Sequence, residues 1–320
     1  MSGKYCKFIQ SGVNFHLEHI RFCNQVQVGP IISEYGKEVT AEFIKQKRQD
    51  YINGMEHGIL HPSCEGCYHL KDENNNTDKI DYLEIFHWQH CNCGCVYCAN
   101  LDLTKGAFSD KVMPGNPHVL RLIKEMYKRD EIDKENLWVC FGGGEVAVLK
   151  DFPKIVDLFL KNNVSSMYVQ SSGITYSKTI EKILALGKGH LQVGISAGSR
   201  DVYEKIKRRD KYNQVVENLK KYIKKAKYKD RIVSKFIIIE GLNSTVEEVE
   251  KWLQMSSDIG IVKVEFSMEF CRSFGRKSGQ KVEQYNYDLF DYAQKRCDEL
   301  GIEFTYNEIS KELMKKGVYN

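Results

Sequence analysis

The 320-residue chain contains only 5 prolines, and its longest uncharged apolar stretches, such as 236–239, are no longer than a strand. We therefore expect neither a membrane-spanning helix nor a secretory signal. Its 47 basic and 43 acidic side chains leave a net charge of +4, which is too small to indicate a nucleic-acid or anionic-membrane partner. These absences predict a cytoplasmic protein with no nucleic acid and no membrane among its partners.

The composition is that of a globular protein, with 42% apolar and 28% charged residues. A chain of this length buries a large core without needing disulfides for stability. Its 11 cysteines are therefore the informative residues. In a reducing compartment, thiols serve more often as metal ligands or redox groups than as disulfides.

From about residue 80 the chain alternates between short apolar strands and amphipathic helices, which predicts βα units and a parallel sheet. Residues 1–79 show weak periodicity and end in a polar run at 71–78 that is typical of a linker. We therefore predict two domains, 1–79 and 80–320. The six predicted strands are Tyr82–Phe86, Leu137–Phe141, Met167–Gln170, Leu191–Ser196, Ile232–Ile239 and Val262–Met268.

Three cysteines follow the first predicted strand with three and then two residues between them, at Cys91, Cys95 and Cys98. A loop with this spacing can direct three thiolates to three irons of a four-iron cluster and leave the fourth iron open to a chelating ligand. Zinc remains the alternative, because closely spaced cysteines can also form a tetrahedral site. The position after a strand of a βα domain favours the cluster. Cys93 is an extra thiol in the same loop, and we expect it to point away from the cluster.

A second motif, Gly143-Gly144-Glu145, follows the second predicted strand. Glycines allow a ligand to approach the backbone closely, and a carboxylate can bind an ammonium group. A glycine run after a strand is weak evidence by itself. The combination with the three cysteines on the preceding strand end is much more specific.

With these two motifs the chain resembles the radical S-adenosylmethionine (radical SAM) superfamily, in which an aromatic residue such as Tyr97 precedes the last cysteine. The resemblance covers about residues 80–310. It implies an α/β fold, a partial (β/α)6 TIM-like barrel, here with a small cysteine-containing N-terminal extension. It also implies two cofactors, a [4Fe-4S] cluster on the three cysteines and S-adenosylmethionine, whose amino group Gly143, Gly144 and Glu145 would hold.

The resemblance implies further cofactor contacts after the later strands, with weaker motifs. Ser171 and Ser172 follow the third predicted strand, at the position where relatives have Thr-Asn-Gly. Their hydroxyls could contact the cofactor, and a role in a turn is an equal alternative. The segment after the fourth strand departs from the family's Ser-x-Asp-x-Gly, since Gly194 replaces the first serine and Ser196 the aspartate. For Asn243 a role in a turn is an equal alternative. The candidate contacts are Ser171, Ser172, Ser196, Lys207 and Asn243.

Four cysteines lie outside the barrel, at Cys6, Cys23, Cys64 and Cys67, and the last two form a metal-type knuckle. They resemble the ligands of an auxiliary iron–sulfur segment of the SPASM or Twitch kind, which in most relatives follows the barrel. A structural zinc, with His61 and His69 as further nitrogens, is the main alternative, and a set of buried thiols is another. An auxiliary [4Fe-4S] cluster here would transfer electrons or support the substrate pocket.

The expected function is reductive cleavage of S-adenosylmethionine and hydrogen abstraction from a carbohydrate or small metabolite, with epimerisation or oxidation as the outcome. Cys271, after the sixth predicted strand, is the candidate catalytic hydrogen donor for epimerisation, although a thiol at the pocket rim without chemistry is the alternative. An electron donor such as flavodoxin or ferredoxin is the expected protein partner. A peptide-modifying maturase is the alternative enzyme, and a non-catalytic zinc-stabilised binding protein is the alternative of another class.

Overall fold

The computed structural model describes residues 4–16, 19–23, 30–34, 37–67, 69–72, 79–98, 116–269 and 283–306, together with Ser310 and Lys315. The chain divides into two compact units. The first comprises Met1–His90 and Met113–Tyr168, and the second comprises Cys91–Val112 and Val169–Asn320. No helix in the described ranges is both long and apolar enough to cross a membrane.

The first unit is a mixed α/β structure. Its sheet contains both parallel and antiparallel pairs. The described elements are β1 (Tyr5–Cys6), α1 (Lys7–Ser11), β2 (Gly12–His16), β3 (His19–Arg21), β4 (Ile31–Glu34), α2 (Ala41–Glu56), β5 (Leu70–Lys71), β6 (Tyr82–Phe86), α3 (Val119–Lys128), β7 (Trp138–Phe141) and α4 (Phe152–Lys161). The unit ends inside β8 (Ser166–Ser171).

The N-terminal residues share a sheet with the first βα unit of the predicted barrel. β2 pairs in parallel with β6, which in turn pairs in parallel with β7, while β3 and β4 continue from β2 in antiparallel pairs. Helix α2 begins at its N-cap Thr40, whose side chain accepts a hydrogen bond from the Phe43 amide. Buried Arg48 of this helix donates to the Gly12 carbonyl at 3.0 Å and fastens the helix to β2. The domain boundary at residue 79 stays a prediction.

The second unit contains the later βα repeats. Its strands β9 to β12 pair in parallel throughout, as expected when helices connect successive strands. The described elements are α5 (Lys178–Ala185), β9 (Gly189–Gly194), α6 (Arg200–Lys207), α7 (Tyr212–Lys225), β10 (Ile232–Ile238), α8 (Val246–Asp258), β11 (Lys263–Met268), α9 (Gln284–Leu300) and β12 (Glu303–Tyr306).

The two faces of this sheet differ in chemistry, because successive side chains of a strand point in opposite directions. On one face Phe236 and Phe266 stack against Trp252 of α8, with ring centroids 5.0 and 5.9 Å from the indole. All three are fully buried, and the indole nitrogen donates to Ser234 Oγ at 2.8 Å. The helix-covered face is therefore the apolar core of the unit.

All six strands predicted from residue 80 onward are present, and the α/β fold class is confirmed. The predicted strand 191–196 instead occupies 189–194. Ser196 has a φ of 56°, a left-handed conformation that cannot continue a strand. Most of the predicted linker, residues 73–78, lies outside the described residues.

The aromatic stack predicts a large loss of stability on truncation. Trp252→Ala should lower the free energy of unfolding by about 3–5 kcal/mol, since it removes a fully buried indole and leaves a cavity. Urea denaturation followed by circular dichroism measures this. Leu186→Ala is the control, because that side chain is 52% exposed and its loss should change the value by no more than about 0.5 kcal/mol. Equal losses for the two variants would contradict the assignment of the core.

Candidate functional site

In the first unit, the segment Gly143–Glu145 follows β7 and lies against the residues that follow β6. The Gly144 amide donates to the Trp88 carbonyl at 3.1 Å, and the Glu145 amide donates to the His90 carbonyl at 2.9 Å. These bonds continue the parallel pairing of β6 and β7 past the ends of the strands. The glycine motif is thereby held against the backbone that leads directly into the cysteine motif.

Only glycine fits at the first two positions of this segment, Gly143 and Gly144. Gly143 has a φ of 93°, a conformation that side chains rarely adopt. A Cβ at Gly144 would lie 2.3 Å from the His90 carbonyl oxygen and 2.7 Å from Trp88 Cδ1. The segment is therefore a stretch of backbone, which we call the glycine cradle, at which a side chain would clash.

Beside this cradle are buried polar atoms without partners. Both ring nitrogens of His87 and the indole nitrogen of Trp88 are buried and make no hydrogen bond. Burial lowers the pKa of His87 to about 4, so that its ring is neutral near pH 7. Glu145 is 1% exposed, and its Oε1 accepts from the Ala147 amide at 3.0 Å. Buried nitrogens without hydrogen-bond partners, in residues that adjoin a backbone segment made of glycine, fit a polar ligand.

In the second unit, the cysteine loop 91–98 is fixed by its backbone to the end of helix α6. The Gly94 amide donates to the Lys207 carbonyl and the Val96 amide to the Ile206 carbonyl, each at 2.9 Å. These carbonyls belong to the last turn of a helix and have no partner within the helix. The loop and the helix end therefore satisfy one another.

Asn92 provides a second attachment of the loop, to the residues after β8. Its Nδ2 donates to Thr175 Oγ1 and its Oδ1 accepts from Ser172 Oγ, both at 3.0 Å. Its carbonyl accepts from Arg209 Nε at 3.1 Å. Of the two predicted serines, Ser172 therefore reaches the cysteine loop, whereas Ser171 Oγ accepts from the Gly173 amide as in a turn.

The four thiols of the loop have different environments. Cys91, Cys95 and Cys98 are half-buried, whereas Cys93 is buried. The Cys93 amide donates to Cys91 Sγ at 3.4 Å, and its thiol is within hydrogen-bonding reach of Cys91 and Cys95. Cys93 therefore lies close to two of the proposed ligands, and the expectation that it points away from the cluster itself stays a prediction. The spacing alone could not show this closeness, because a one-residue gap in an irregular loop fixes no side-chain direction.

Lys207 is the charged group beside these thiols. It is 2% exposed, and its Nζ donates to Tyr97 Oη and lies 4.9 Å from the centre of that ring. Burial would lower the pKa of Lys207, but Cys95 and Tyr97 more than offset this and raise it, so the ammonium stays charged. The pKa of the Cys95 thiol is lowered to about 5 by a hydrogen bond from Cys93 and by the charge of Lys207, against the effect of burial.

The thiols suit an iron–sulfur cluster by their chemistry. Within the described ranges, no three His, Cys, Asp or Glu side chains are already placed to hold a metal ion. Cys91, Cys95 and Cys98 nevertheless combine partial exposure, a cationic neighbour and a loop anchored through its other residues. Thiolates in such surroundings are the ligands that iron–sulfur clusters require. The donor set therefore fits the cluster that the sequence predicted.

Ser196 and Asn243 belong to one buried hydrogen-bonded cluster. Asn243 Nδ2 donates to the carbonyls of Ser196 and Ile237, at 2.7 and 2.8 Å, and its Oδ1 accepts from the Ile239 amide at 2.6 Å. Ser196 Oγ accepts from the Ile237 amide at 3.3 Å. Both side chains are fully buried, and these bonds to backbone favour the turn role for Asn243 over contact with a cofactor.

The N-terminal thiols are grouped in part. Burial raises the pKa of the Cys6 and Cys64 thiols, and each is raised further by the nearby Cys67. Cys23 is also buried, and it adds to the effect of burial in raising the pKa of Tyr82. Cys6, Cys64 and Cys67 therefore interact with one another. Cys271, the candidate hydrogen donor, lies outside the described residues.

Sequence reasoning missed His87 and Trp88 beside the glycine cradle and Asn92 in the cysteine loop. A signal existed for Asn92, because an amide inside a ligand motif can tie the loop to its surroundings. No pattern singled out the two aromatic residues, since their importance follows from buried nitrogens without partners.

Comparison with known proteins gives a consistent result. Residues 85–255 match the family described as the Radical SAM superfamily. GTP 3',8-cyclase from Clostridium botulinum is 21% identical over 210 residues, which cover 65% of this chain and 61% of that protein.

Solved structures agree in fold. The crystal structure of Streptococcus suis SuiB bound to precursor peptide SuiA gives a TM-score of 0.55 at 12% identity, covering 89% of this chain and 57% of that one. SuiB bound to S-adenosylmethionine gives 0.52 at 11% identity, with 83% and 55% covered. The chain thus spans less than two thirds of the length of these relatives.

The glycine cradle predicts a clear difference between two Gly→Ala variants. Gly144→Ala should lower the free energy of unfolding by about 1–3 kcal/mol, because the new Cβ meets the His90 carbonyl oxygen. That oxygen cannot move without breaking its hydrogen bond from the Glu145 amide. Gly194→Ala should change it by less than about 1 kcal/mol, since its Cβ would find its nearest atoms at 3.6 and 3.8 Å. Urea denaturation of both variants measures this. Equal stability of the two would refute the close approach.

Proposed function

Because the chain belongs to the radical SAM superfamily, we propose that it cleaves S-adenosylmethionine reductively and abstracts hydrogen from a carbohydrate or small metabolite. The observation that carries this proposal is the cysteine loop, in which backbone bonds hold residues 94 and 96 while three half-buried thiols are left to bind iron. When bound, the reduced cluster supplies the electron that splits the sulfonium into methionine and the 5'-deoxyadenosyl radical. Family membership disfavours the zinc-stabilised binding protein.

The residues of the candidate site would have separate roles in binding the cluster and S-adenosylmethionine. Cys91, Cys95 and Cys98 would ligate the cluster, and the cradle of Gly143, Gly144 and Glu145 would hold the amino group of S-adenosylmethionine. Lys207, whose ammonium stays charged when buried, would offset the carboxylate of the cofactor. Tyr97, Ser172 and Ser196 complete the proposed surroundings, whereas Ser171 and Asn243 would act by holding turns.

For the N-terminal cysteines we propose the auxiliary [4Fe-4S] cluster, with Cys6, Cys23, Cys64 and Cys67 as its ligands. Cys67 raises the pKa of both Cys6 and Cys64, and Cys6 raises that of Cys64, which supports a shared site. Such a cluster, with four protein ligands, has no open iron and would accept an electron from the substrate radical. A flavodoxin or ferredoxin in the cytoplasm would supply the electron for the first cluster.

Peptide modification is the second candidate function, and one feature of the first unit favours it. Strand β4 is the last of its sheet among the described residues, and Ile31 and Phe43 beside it are 40% and 39% exposed. An extended peptide can add to such an edge through backbone hydrogen bonds. The fold also resembles that of SuiB, which was solved with a precursor peptide.

Iron content tests the cluster assignment. The reconstituted chain should hold about eight irons, and the variant with Cys91, Cys95 and Cys98 changed to Ala should hold about four and form no 5'-deoxyadenosine. Changing Cys6, Cys64 and Cys67 to Ala should likewise leave about four, but with the S-adenosylmethionine-binding cluster intact. Iron and acid-labile sulfide measured under anaerobic conditions give these numbers.

Cys93→Ala is the matched control for that experiment, because Cys93 lies in the same loop but is not among the proposed ligands. It should keep the full iron content. About four irons in the wild type, falling to none in the first triple variant, would remove the auxiliary cluster. No iron in any of these proteins would remove the radical enzyme.

Cys271→Ala tests the reaction outcome. If Cys271 delivers hydrogen to the substrate radical, the variant should still form 5'-deoxyadenosine but lose inversion of the product. The measurement is incorporation of deuterium from D2O into product, with Cys297→Ala, a thiol buried in α9, as the control. Unchanged incorporation in Cys271→Ala would remove Cys271 as the hydrogen donor, and an absence of incorporation in the wild type would assign the reaction to oxidation instead of epimerisation.

A further inference from the structure

The face of the second unit's sheet opposite the aromatic stack carries a row of polar side chains. Lys235 of β10 stands directly across from Glu265 of β11, and their side chains form an ion pair with Nζ and Oε1 2.7 Å apart. Gln192 of β9 donates to the other oxygen of Glu265, also at 2.7 Å. Two neighbouring strands therefore each place one polar group within hydrogen-bonding distance of the Glu265 carboxylate on a third strand.

This row is not explained by stability. The Lys235 and Glu265 side chains are only 16% and 18% exposed, and removing paired charges from water costs roughly as much as their attraction returns. The same two strands show with Phe236 and Phe266 that apolar residues serve the core well. The remaining exposure also means that the pair is not sealed and can be reached by a ligand.

A buried hydroxyl continues the row. Ser267 lies two residues after Glu265 on the same strand and therefore on the same face, opposite Ile237 of β10. It is fully buried, and its Oγ makes no hydrogen bond. A buried hydroxyl without a partner is unfavourable, and this one shares a face with the ion pair, where a ligand group could supply the missing bond.

The row also lies beside the loop that carries the cysteines. Lys235 stands across from Gly194 of β9 in the parallel register. A Cβ at Gly194 would be 3.6 Å from Lys207 Nζ and 3.8 Å from Tyr97 Oη, so this glycine faces those two groups. A ligand on the row would therefore lie next to the part of the site that the proposed reaction uses.

We propose that Lys235, Glu265 and Ser267 form a binding site for a neutral, hydroxyl-rich ligand such as a monosaccharide. The ion pair has no net charge, so it offers donors from the ammonium and acceptors from the carboxylate without attracting an ion of either sign. Hydroxyl groups, which both donate and accept, match this set of partners and that of Ser267. That the bound sugar is the substrate rests on the proposed function, whereas binding of the sugar does not depend on it.

Binding is tested on the reconstituted holoenzyme with a panel of neutral monosaccharides, namely glucose, galactose, mannose and N-acetylglucosamine, and with glucuronate and glucose 6-phosphate as charged probes. Thermal shift measures binding, and the rate of 5'-deoxyadenosine formation measures turnover. We expect at least one neutral sugar to bind and to raise that rate. Glu265→Gln and Ser267→Ala should each weaken its apparent affinity by roughly tenfold.

Matched controls exist for both substitutions. Glu303→Gln removes the carboxylate of another cross-strand pair, with Lys263 Nζ at 2.6 Å, at the N-terminal ends of β11 and β12. Ser256→Ala removes a second fully buried hydroxyl that has no hydrogen bond. Neither control should change sugar affinity, and circular dichroism of all four variants reports folding.

The outcomes separate the two proposals. A sugar that binds the wild type while no 5'-deoxyadenosine forms would support the site and overturn the proposed function. Cleavage of S-adenosylmethionine with no response to any neutral sugar would overturn the ligand class, as would a preference for the charged probes. Equal sugar affinity in the wild type and in both Glu265→Gln and Ser267→Ala would overturn the location of the site. If Glu265→Gln fails to fold, Ser267→Ala decides.

Discussion

The candidate site depends on the bonds between the cysteine loop and the end of helix α6. A loop of eight residues without regular structure carries backbone amides that must find partners when buried. The last carbonyls of α6 lack partners within the helix, and those of Ile206 and Lys207 accept from Val96 and Gly94. Each element thus satisfies groups that the other would leave unpaired. Because the anchors are backbone atoms of alternate residues, the side chains of the cysteines remain available for iron.

This anchoring creates an electrostatic problem that Lys207 resolves. The C-terminal end of a helix carries partial negative charge, and thiolates beside it are disfavoured. Lys207 is the last residue of α6, and its ammonium lies beneath the loop against Tyr97. Its charge acts on Cys95 and favours the thiolate. A buried lysine is costly in most places, but here it balances the helix end and the cysteine at once.

Much of the fold could be predicted from the sequence, because its signals are local. Short apolar stretches predict the strands of the βα repeats, and the three-and-two spacing of the cysteines predicts the loop. The N-terminal strands β2 to β4 were missed because they are three to five residues long and depend on pairing with β6, which is distant in sequence. Short strands of this kind are stabilised by tertiary context rather than by their own pattern.

The site was predictable in its residue types but not in its partnerships. The distance from Cys95 to Lys207 is 112 positions along the chain, and no local pattern joins them. Asn243 shows a second limit, since a polar residue after a strand fits a cofactor contact as well as a turn. Only the structure shows that its amide bonds to the backbone of Ser196, Ile237 and Ile239.

The second unit uses the two faces of one sheet differently, with the apolar core on one face and the polar row on the other. Phe236 and Phe266 hold β10 and β11 in register through their packing on Trp252, whatever the opposite face carries. Lys235 and Glu265 directly precede these phenylalanines and point to the other face. The packing of the phenylalanines therefore fixes the backbone of Lys235 and Glu265, although these two side chains are not part of the core. Replacing one member of the ion pair alone would leave the other charge largely buried and unpaired, so this face is not free of the constraints of folding. The aromatic face and the anchors of the cysteine loop nevertheless fix the backbone on which the proposed site is built.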